Sequence, residues 1–127
     1  MSRTVPNQAT ANDALIDSNG RILAVNRNWS NFGRANGLEL INDGIGVSYL
    51  DFCSGPEGSR VRFKLEQLLS GASRSVAEFY HCHSAEERRW CCMIAHATPG
   101  FGSVGFVVSH LDISRIVFEA GWGDLRD

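Results

Sequence analysis

The hydrophobic positions of this chain switch between a period of two and a period near 3.6, and the switches mark its elements. Residues 1–12 (MSRTVPNQATAN) are polar, carry Pro6 and show neither period, which predicts a flexible lead-in. Ala14-Leu15-Ile16 and Arg21-Ile22-Leu23-Ala24-Val25 are β-rich runs joined by Asp17-Ser18-Asn19-Gly20, and that pattern predicts a hairpin. Asn26 then stands at a cap position, with Trp29, Phe32, Gly33 and Asn36 at helical spacing and Asn36-Gly37 as the stop. Residues 38–53 are mixed. Gly44 and Gly46 punctuate them, Tyr49, Leu50 and Phe52 supply apolar bulk, and one or two short helical turns are expected.

The clearest helix spans about Pro56 to Ser70. Ser54 and Glu57 have capping-box spacing, Pro56 suits a first turn, and Gly71 suits the position just past the end. Val61, Leu65, Leu68 and Leu69 form its apolar stripe, while Arg62 and Glu66 make an i,i+4 pair on the other side. Three strands are expected at about 74–83, 88–98 and 103–112, with turns at Ser84–Glu87 and Pro99–Gly102. In the middle strand Trp90, Cys92 and Ile94 share one face, and Cys91, Met93 and Ala95 share the other. Both faces are apolar, which predicts a second cover beyond the helices. Ser114 is expected to cap a final helix carrying Ile116, Val117 and Ala120.

Composition narrows the class. With 127 residues, 43% of them hydrophobic, the chain has room for one domain with one core. A formal net charge of −2 leaves no electrostatic footprint for direct nucleic-acid or anionic-membrane binding. No apolar run approaches the ~20 residues of a membrane span and no signal peptide opens the chain, so a cytoplasmic location is expected. Four cysteines (Cys53, Cys82, Cys91 and Cys92) include no C-x-x-C pair, which excludes a zinc ribbon or thioredoxin motif and leaves reduced thiols.

The order strand–strand–helices–strand–strand–strand–helix resembles a PAS domain, the small sensor module of bacterial signalling proteins, over residues 13–114. ALIDSNGRILAVNRNW resembles that family's first hairpin and its entry to the first helix. FYHCHSAEERRW resembles the fourth strand and the Arg-Trp opening the fifth, and GFVVSHLDIS ends in the family's Asp-Ile-Ser/Thr signature. The resemblance implies an α+β fold: a five-stranded antiparallel sheet of order 2-1-5-4-3 with helices packed on one face. It also implies a pocket between those layers, and an output helix or linker beginning in 115–127. Asp112, Ile113 and Ser114 would be the signalling motif, with Asp112 pairing with an arginine.

Sub-classes are tested residue by residue. Flavin photosensors of this fold carry a cysteine in Gly-x-Asn-Cys-Arg-Phe-Leu-Gln. Here Gly46-Val47-Ser48-Tyr49-Leu50 places Tyr49 there, so covalent flavin photochemistry is rejected. The haem members use a histidine on the long helix, and residues 56–70 contain none. A haem held from a strand histidine stays open, and the identity of any cofactor is unknown from the sequence. Symmetric hairpin pairing would put His81, Cys91 and His110 in one cross-strand row with zinc-type ligands, an arrangement that a one-residue slip destroys. His81-Cys82-His83 offers no nucleophile pair, because neighbours on a strand point to opposite sides.

The candidate pocket residues are Trp29, Phe32, Tyr49, Phe52, Leu65, Leu69, Trp90, Ile94 and Phe106, all of which also suit ordinary core packing. Tyr49 stands out because a buried hydroxyl wants a partner. The expected function is a non-enzymatic sensory and interaction module of a two-component or similar bacterial system. It would bind a small ligand, pair as a homodimer and act on an effector (kinase, cyclase or transcriptional regulator) in the same or a partner chain. The flanks of twelve and thirteen residues hold no such effector, so a detached or stand-alone input domain is expected. Two alternatives are a small cone-shaped α+β enzyme of the isomerase or dehydratase kind, and a ligand-free dimerisation domain.

Overall fold

Asp17 makes the first chain reversal. Its carboxylate accepts the N–H groups of Asn19 (2.9 Å) and Arg21 (3.0 Å), and its backbone carbonyl accepts that of Gly20 at 2.9 Å. Gly20 sits at φ 85°, a left-handed conformation natural for glycine. The computed structural model describes residues 11–35, 41–53, 55–81, 90–101 and 103–121. The hairpin strands are β1 (Ala11–Ile16) and β2 (Ile22–Val25), so the sheet starts two residues before the expected lead-in ends. Asn26 closes the unit by capping α1 (Arg27–Ala35): its Oδ1 accepts the Trp29 N–H at 2.9 Å and the Asp13 N–H at 3.1 Å. Its Nδ2 donates to the Ala11 carbonyl at 3.0 Å, which ties the helix start to β1.

Two 3-10 turns follow, Ile41–Gly44 and Tyr49–Phe52, where short helical turns are expected. Helix α2 (Gly55–Leu69) buries Val61, Leu65 and Leu68, and ends at Gly71, φ 88°, whose N–H bonds the Leu68 carbonyl at 3.1 Å. The Arg62–Glu66 pair forms as expected, at 3.1 Å. The capping-box partner expected of Glu57, Ser54, lies outside the described residues, as do the expected Ser84–Glu87 turn, Cys82 and His83. The Glu57 carboxylate accepts the His81 backbone N–H (2.8 Å) and lies 3.0 Å from the His81 Nδ1.

Strands β3 (Ser75–His81), β4 (Trp90–Phe101) and β5 (Ser103–Asp112) complete an antiparallel sheet of order β2-β1-β5-β4-β3. β4 runs past the expected turn at Pro99, through a register irregularity between Thr98 and Phe101, and Phe101 pairs with Ser103. The helix-covered face carries Ala14, Ile16, Ile22, Val76, Met93, Ala95, Phe106 and Val108, closed by Tyr49 and the α2 stripe. Ile16, Ile22, Leu65, Leu68, Met93 and Val108 are fully buried, each worth roughly 1.5–3 kcal/mol relative to exposure.

Alternation from Met93 and Ala95 decides which β4 residues reach that interior. Trp90 and Ile94 have the opposite parity and belong to the outer face, where Ile94 is 41% exposed; their placement in the pocket is therefore corrected. Phe79, opposite Cys92, is 59% exposed. Helix α3 (Ser114–Glu119) closes the described chain, with Val117 buried. Among the described residues, no helix is long and apolar enough to cross a membrane.

Candidate functional site

Tyr49 is carried inward by the segment before it. Gly44 and Gly46 adopt φ 91° and 96°, and the segment lies along the free edge of β2. There Val47 O accepts the Ile22 N–H (2.9 Å), the Gly46 N–H bonds Ile22 O (2.8 Å), and the Tyr49 N–H bonds Gly20 O (2.7 Å). Arg21 adds a hydrogen bond from Nη1 to the Gly46 carbonyl at 2.9 Å. These bonds cover the sheet edge and fix where the Tyr49 ring can point. The ring is buried, 6.1 Å from that of Trp29 and 6.4 Å from that of Phe52.

Trp29 is held in turn by Asp43, whose carbonyl accepts the indole Nε1–H at 2.9 Å and whose Oδ2 accepts the Ser30 hydroxyl at 2.9 Å. Asn42 and Asp43 have φ of 54° and 58°, a left-handed backbone that these α1 contacts stabilise against its strain.

Below Tyr49 lies His110. Phe106, Val108 and His110 share the helix-facing side of β5, and His110 is the position where that apolar run turns polar. The Tyr49 hydroxyl hydrogen-bonds His110 Nε2, and the two rings stack at 5.7 Å with 19° between planes. The Tyr80 hydroxyl, from β3, bonds the other nitrogen, Nδ1, at 2.5 Å. One imidazole thus joins the Tyr49–Phe52 turn, β5 and the edge strand β3. Burial pushes the His110 pKa down to about 4, so the ring is neutral near pH 7. Burial also raises the Tyr49 hydroxyl well above its ordinary value, with the nearby Cys53 thiol adding to the effect. Cys53 is raised by burial too, with Arg62 opposing.

A neutral imidazole donates one hydrogen bond and accepts one, so both nitrogens are used by the tyrosines. General base catalysis needs a nitrogen aimed at a substrate proton, and no such nitrogen remains here.

The expected pocket residues divide. Trp29, Tyr49, Leu65, Leu69 and Phe106 belong to or pack against the interior, while Phe52 reaches Tyr49 edge-on but is 45% exposed. Phe32 falls on α1, and its side chain lies outside the described ones. Trp90, the first residue of β4, packs against His81 with the rings tilted 55° and their centroids 4.0 Å apart. The expected metal row does not form. His81 pairs with Trp90, Cys91 with Tyr80 and Asp112, and His110 with Met93, so the register separates all three. Among the described residues, no group of three His, Cys, Asp or Glu could hold a metal ion. Tyr80, and His110 as its partner, are the residues that sequence reasoning missed. Their signal was parity, since Tyr80 alternates with the buried Val76 and His110 with Val108.

The Asp-Ile-Ser motif anchors α3. The Asp112 carboxylate accepts the Ser114 N–H (2.9 Å), the Ser114 hydroxyl accepts the Trp90 N–H (2.8 Å), and the Ile113 N–H bonds Trp90 O (2.8 Å). Ser114 therefore ties α3 to β4 in place of the helix cap expected of it. Asp112 stands two residues after His110 on the same strand.

No protein-family model matches the chain. An uncharacterized 104.1 kDa protein of Rhodobacter capsulatus, encoded in the hypE 3′ region, is 33% identical over 111 residues. That match covers 80% of this chain and 11% of the relative, so the chain spans about a ninth of its length. Among solved structures, the PAS domain of the Cronobacter turicensis RpfR quorum-sensing receptor, in complex with C12:0, superposes with a TM-score of 0.55 at 19% identity. It covers 86% of this chain and 99% of that one. The PAS domain of the fruit-fly ELK potassium channel gives a TM-score of 0.58 at 20% identity, covering 82% and 87%.

Proposed function

Because the chain has the PAS fold, we propose that it works as a sensory module without enzymatic activity, set by the state of the Tyr49–His110–Tyr80 cluster. The observation that carries this reading is the place of His110. It bonds the turn in the helical layer through Tyr49, and the strand on which it sits leads within two residues into the α3 anchor.

A small apolar ligand entering beside Tyr49 would disturb that bond and shift the population of α3 positions, the ordinary way a ligand acts on a two-state element. The effector lies in the same or a partner chain. The 104.1 kDa size of the Rhodobacter relative, of which this chain matches 11%, is consistent with a module inside a larger protein.

The outer sheet face supports pairing with a second copy. Phe79, 59% exposed, and Ile94, 41% exposed, stand on it beside Cys92. Exposed apolar residues grouped on one sheet face favour association.

Native mass spectrometry and an absorption spectrum of the purified protein test both parts. A dimer mass with one co-purifying apolar metabolite per chain is the expected result. An empty chain that also binds no member of a metabolite library would overturn the sensory reading and leave a ligand-free dimerisation domain.

A further inference from the structure

The sheet has two edges, and the chain treats them differently. Along β2, Gly46 and Val47 bond both backbone groups of Ile22 and so cover that edge. The other edge is β3, and two bonds fix how its backbone is turned. The Arg74 carbonyl accepts the Ala97 N–H at 3.3 Å, on the β4 side. The His81 N–H goes to the Glu57 carboxylate at 2.8 Å, away from β4. Even-numbered residues therefore hold the ladder with β4, while Ser75, Ala77 and Phe79 turn N–H and C=O outward. Among the described residues nothing bonds those outward groups.

Apolar surface flanks this edge on both sides. Phe79 is 59% exposed on the outer face, and Phe63 of α2 is 58% exposed on the helix side. Phe63 lines a groove of about 270 Å³ with Ser59, Arg60, Lys64 and Glu78. α2 runs antiparallel to β3, since Glu57 meets His81 and Arg60 meets Glu78 at 3.1 Å. Three residues of helix advance about 4.5 Å and four about 6 Å, against about 3.4 Å for each strand residue. Phe63 thus stands near the level of Ala77, and Lys64 near that of Val76. Among the described residues Lys64 has no ion-pair partner.

We propose that a second copy occupies this edge, the two β3 strands pairing antiparallel about a two-fold axis at Ala77. The sheets become one, with both α2 helices on the same side. Glu57 already holds the His81 N–H, so the pairing spans Ser75 to Phe79. Ser75 faces the partner's Phe79, Ala77 faces the partner's Ala77, and each opposed pair exchanges two backbone bonds. Alanine suits the axis, where a side chain meets its own copy. Phe63 meets the partner's Phe63 above it, and each ring fills part of the other's groove. Glu78, opposite the partner's Val76, comes level with the partner's Lys64, so each edge brings the other one carboxylate and one ammonium. The inference rests on the pairing proposed above and specifies it: Phe79 lies at the seam, and Ile94 stands one strand further in.

Amide hydrogen exchange of the full chain, read residue by residue beside sedimentation, tests it. A dimer is expected in which the Ala77 and Phe79 N–H groups exchange about tenfold slower than in the dilute monomer. Glu78 and Tyr80, bonded to β4, are expected to be slow in both. Ala77→Pro removes an outward N–H that the fold does not use and is expected to leave a monomer. Lys64→Glu keeps every backbone bond and is expected to weaken the dimer about tenfold, because it sets two carboxylates together. A dimer whose Ala77 and Phe79 amides exchange as fast as in the monomer overturns the edge contact and leaves pairing through the outer face. So does a dimer that both variants leave intact. Protection of those amides that does not change with concentration also overturns the contact, because the chain then covers its own edge. A monomer at every concentration overturns the contact and the pairing together.

Discussion

Acidification should weaken this fold through one buried ring. In the unfolded chain His110 has the ordinary histidine pKa of 6.5, and in the native state burial lowers it to about 4. Between those values the unfolded chain binds a proton that the native state does not. Stability therefore rises with pH across that window, and the contribution present above pH 6.5 is lost as pH falls toward 4. The effect on unfolding free energy between pH 7 and pH 5 is about 2 kcal/mol for the wild type. In urea that is a midpoint shift on the order of 1 M.

Carboxylates also begin to titrate in this range, so the measurement is a double difference. Wild type and His110→Gln are unfolded in urea at both pH values, and the change in the variant is subtracted. Glutamine at 110 has no proton to gain, so the wild type should lose about 2 kcal/mol more than the variant on going to pH 5. Equal losses in the two proteins would refute the reasoning, because they would show that His110 is not held neutral by burial.

Two further outcomes follow from the packing. Asn26→Ala removes a cap that also bonds Asp13 and Ala11, and chemical denaturation should register a loss of about 2 kcal/mol, the upper end for a single N-cap. Phe79→Glu with Ile94→Glu places charge on the outer sheet face. Analytical ultracentrifugation should show a monomer, with the melting temperature of the dilute protein within a few degrees of wild type, since exposed positions contribute little to the core.

Local signals in the sequence were legible where the physics is local. Asp17 to Gly20 dictates its own turn, Asn26 its helix cap, and the Val61–Leu65–Leu68 stripe its buried side. The sheet order came from resemblance, because strand order is a matter of long-range pairing that no window of residues contains. The errors came from the same source. Trp90 and Ile94 sit on an alternating strand whose two faces are equally apolar, so composition alone could not say which face met the helices.

The metal row expected by symmetry is one residue out of register at β3–β4, where His81 pairs with Trp90, and two at β4–β5, where Cys91 pairs with Asp112. Ser114 carries a capping side chain that a tertiary partner, the Trp90 N–H, claimed. Tyr49 was visible as a hydroxyl in need of a partner. His110 and Tyr80 were not, because they become its partners only when β3, β4 and β5 pair in this register.

The central claim is that the buried cluster and the α3 anchor are coupled through β5, and amide hydrogen exchange tests it most directly. In Tyr49→Phe the N–H groups of Trp90, Ile113, Ser114 and Val117 should exchange about tenfold faster than in wild type, equivalent to roughly 1.4 kcal/mol of lost local stability. The Trp29 and Ser30 amides of α1 should change by much less. Wild-type exchange rates across Trp90 and α3 in a folded Tyr49→Phe protein would contradict the account.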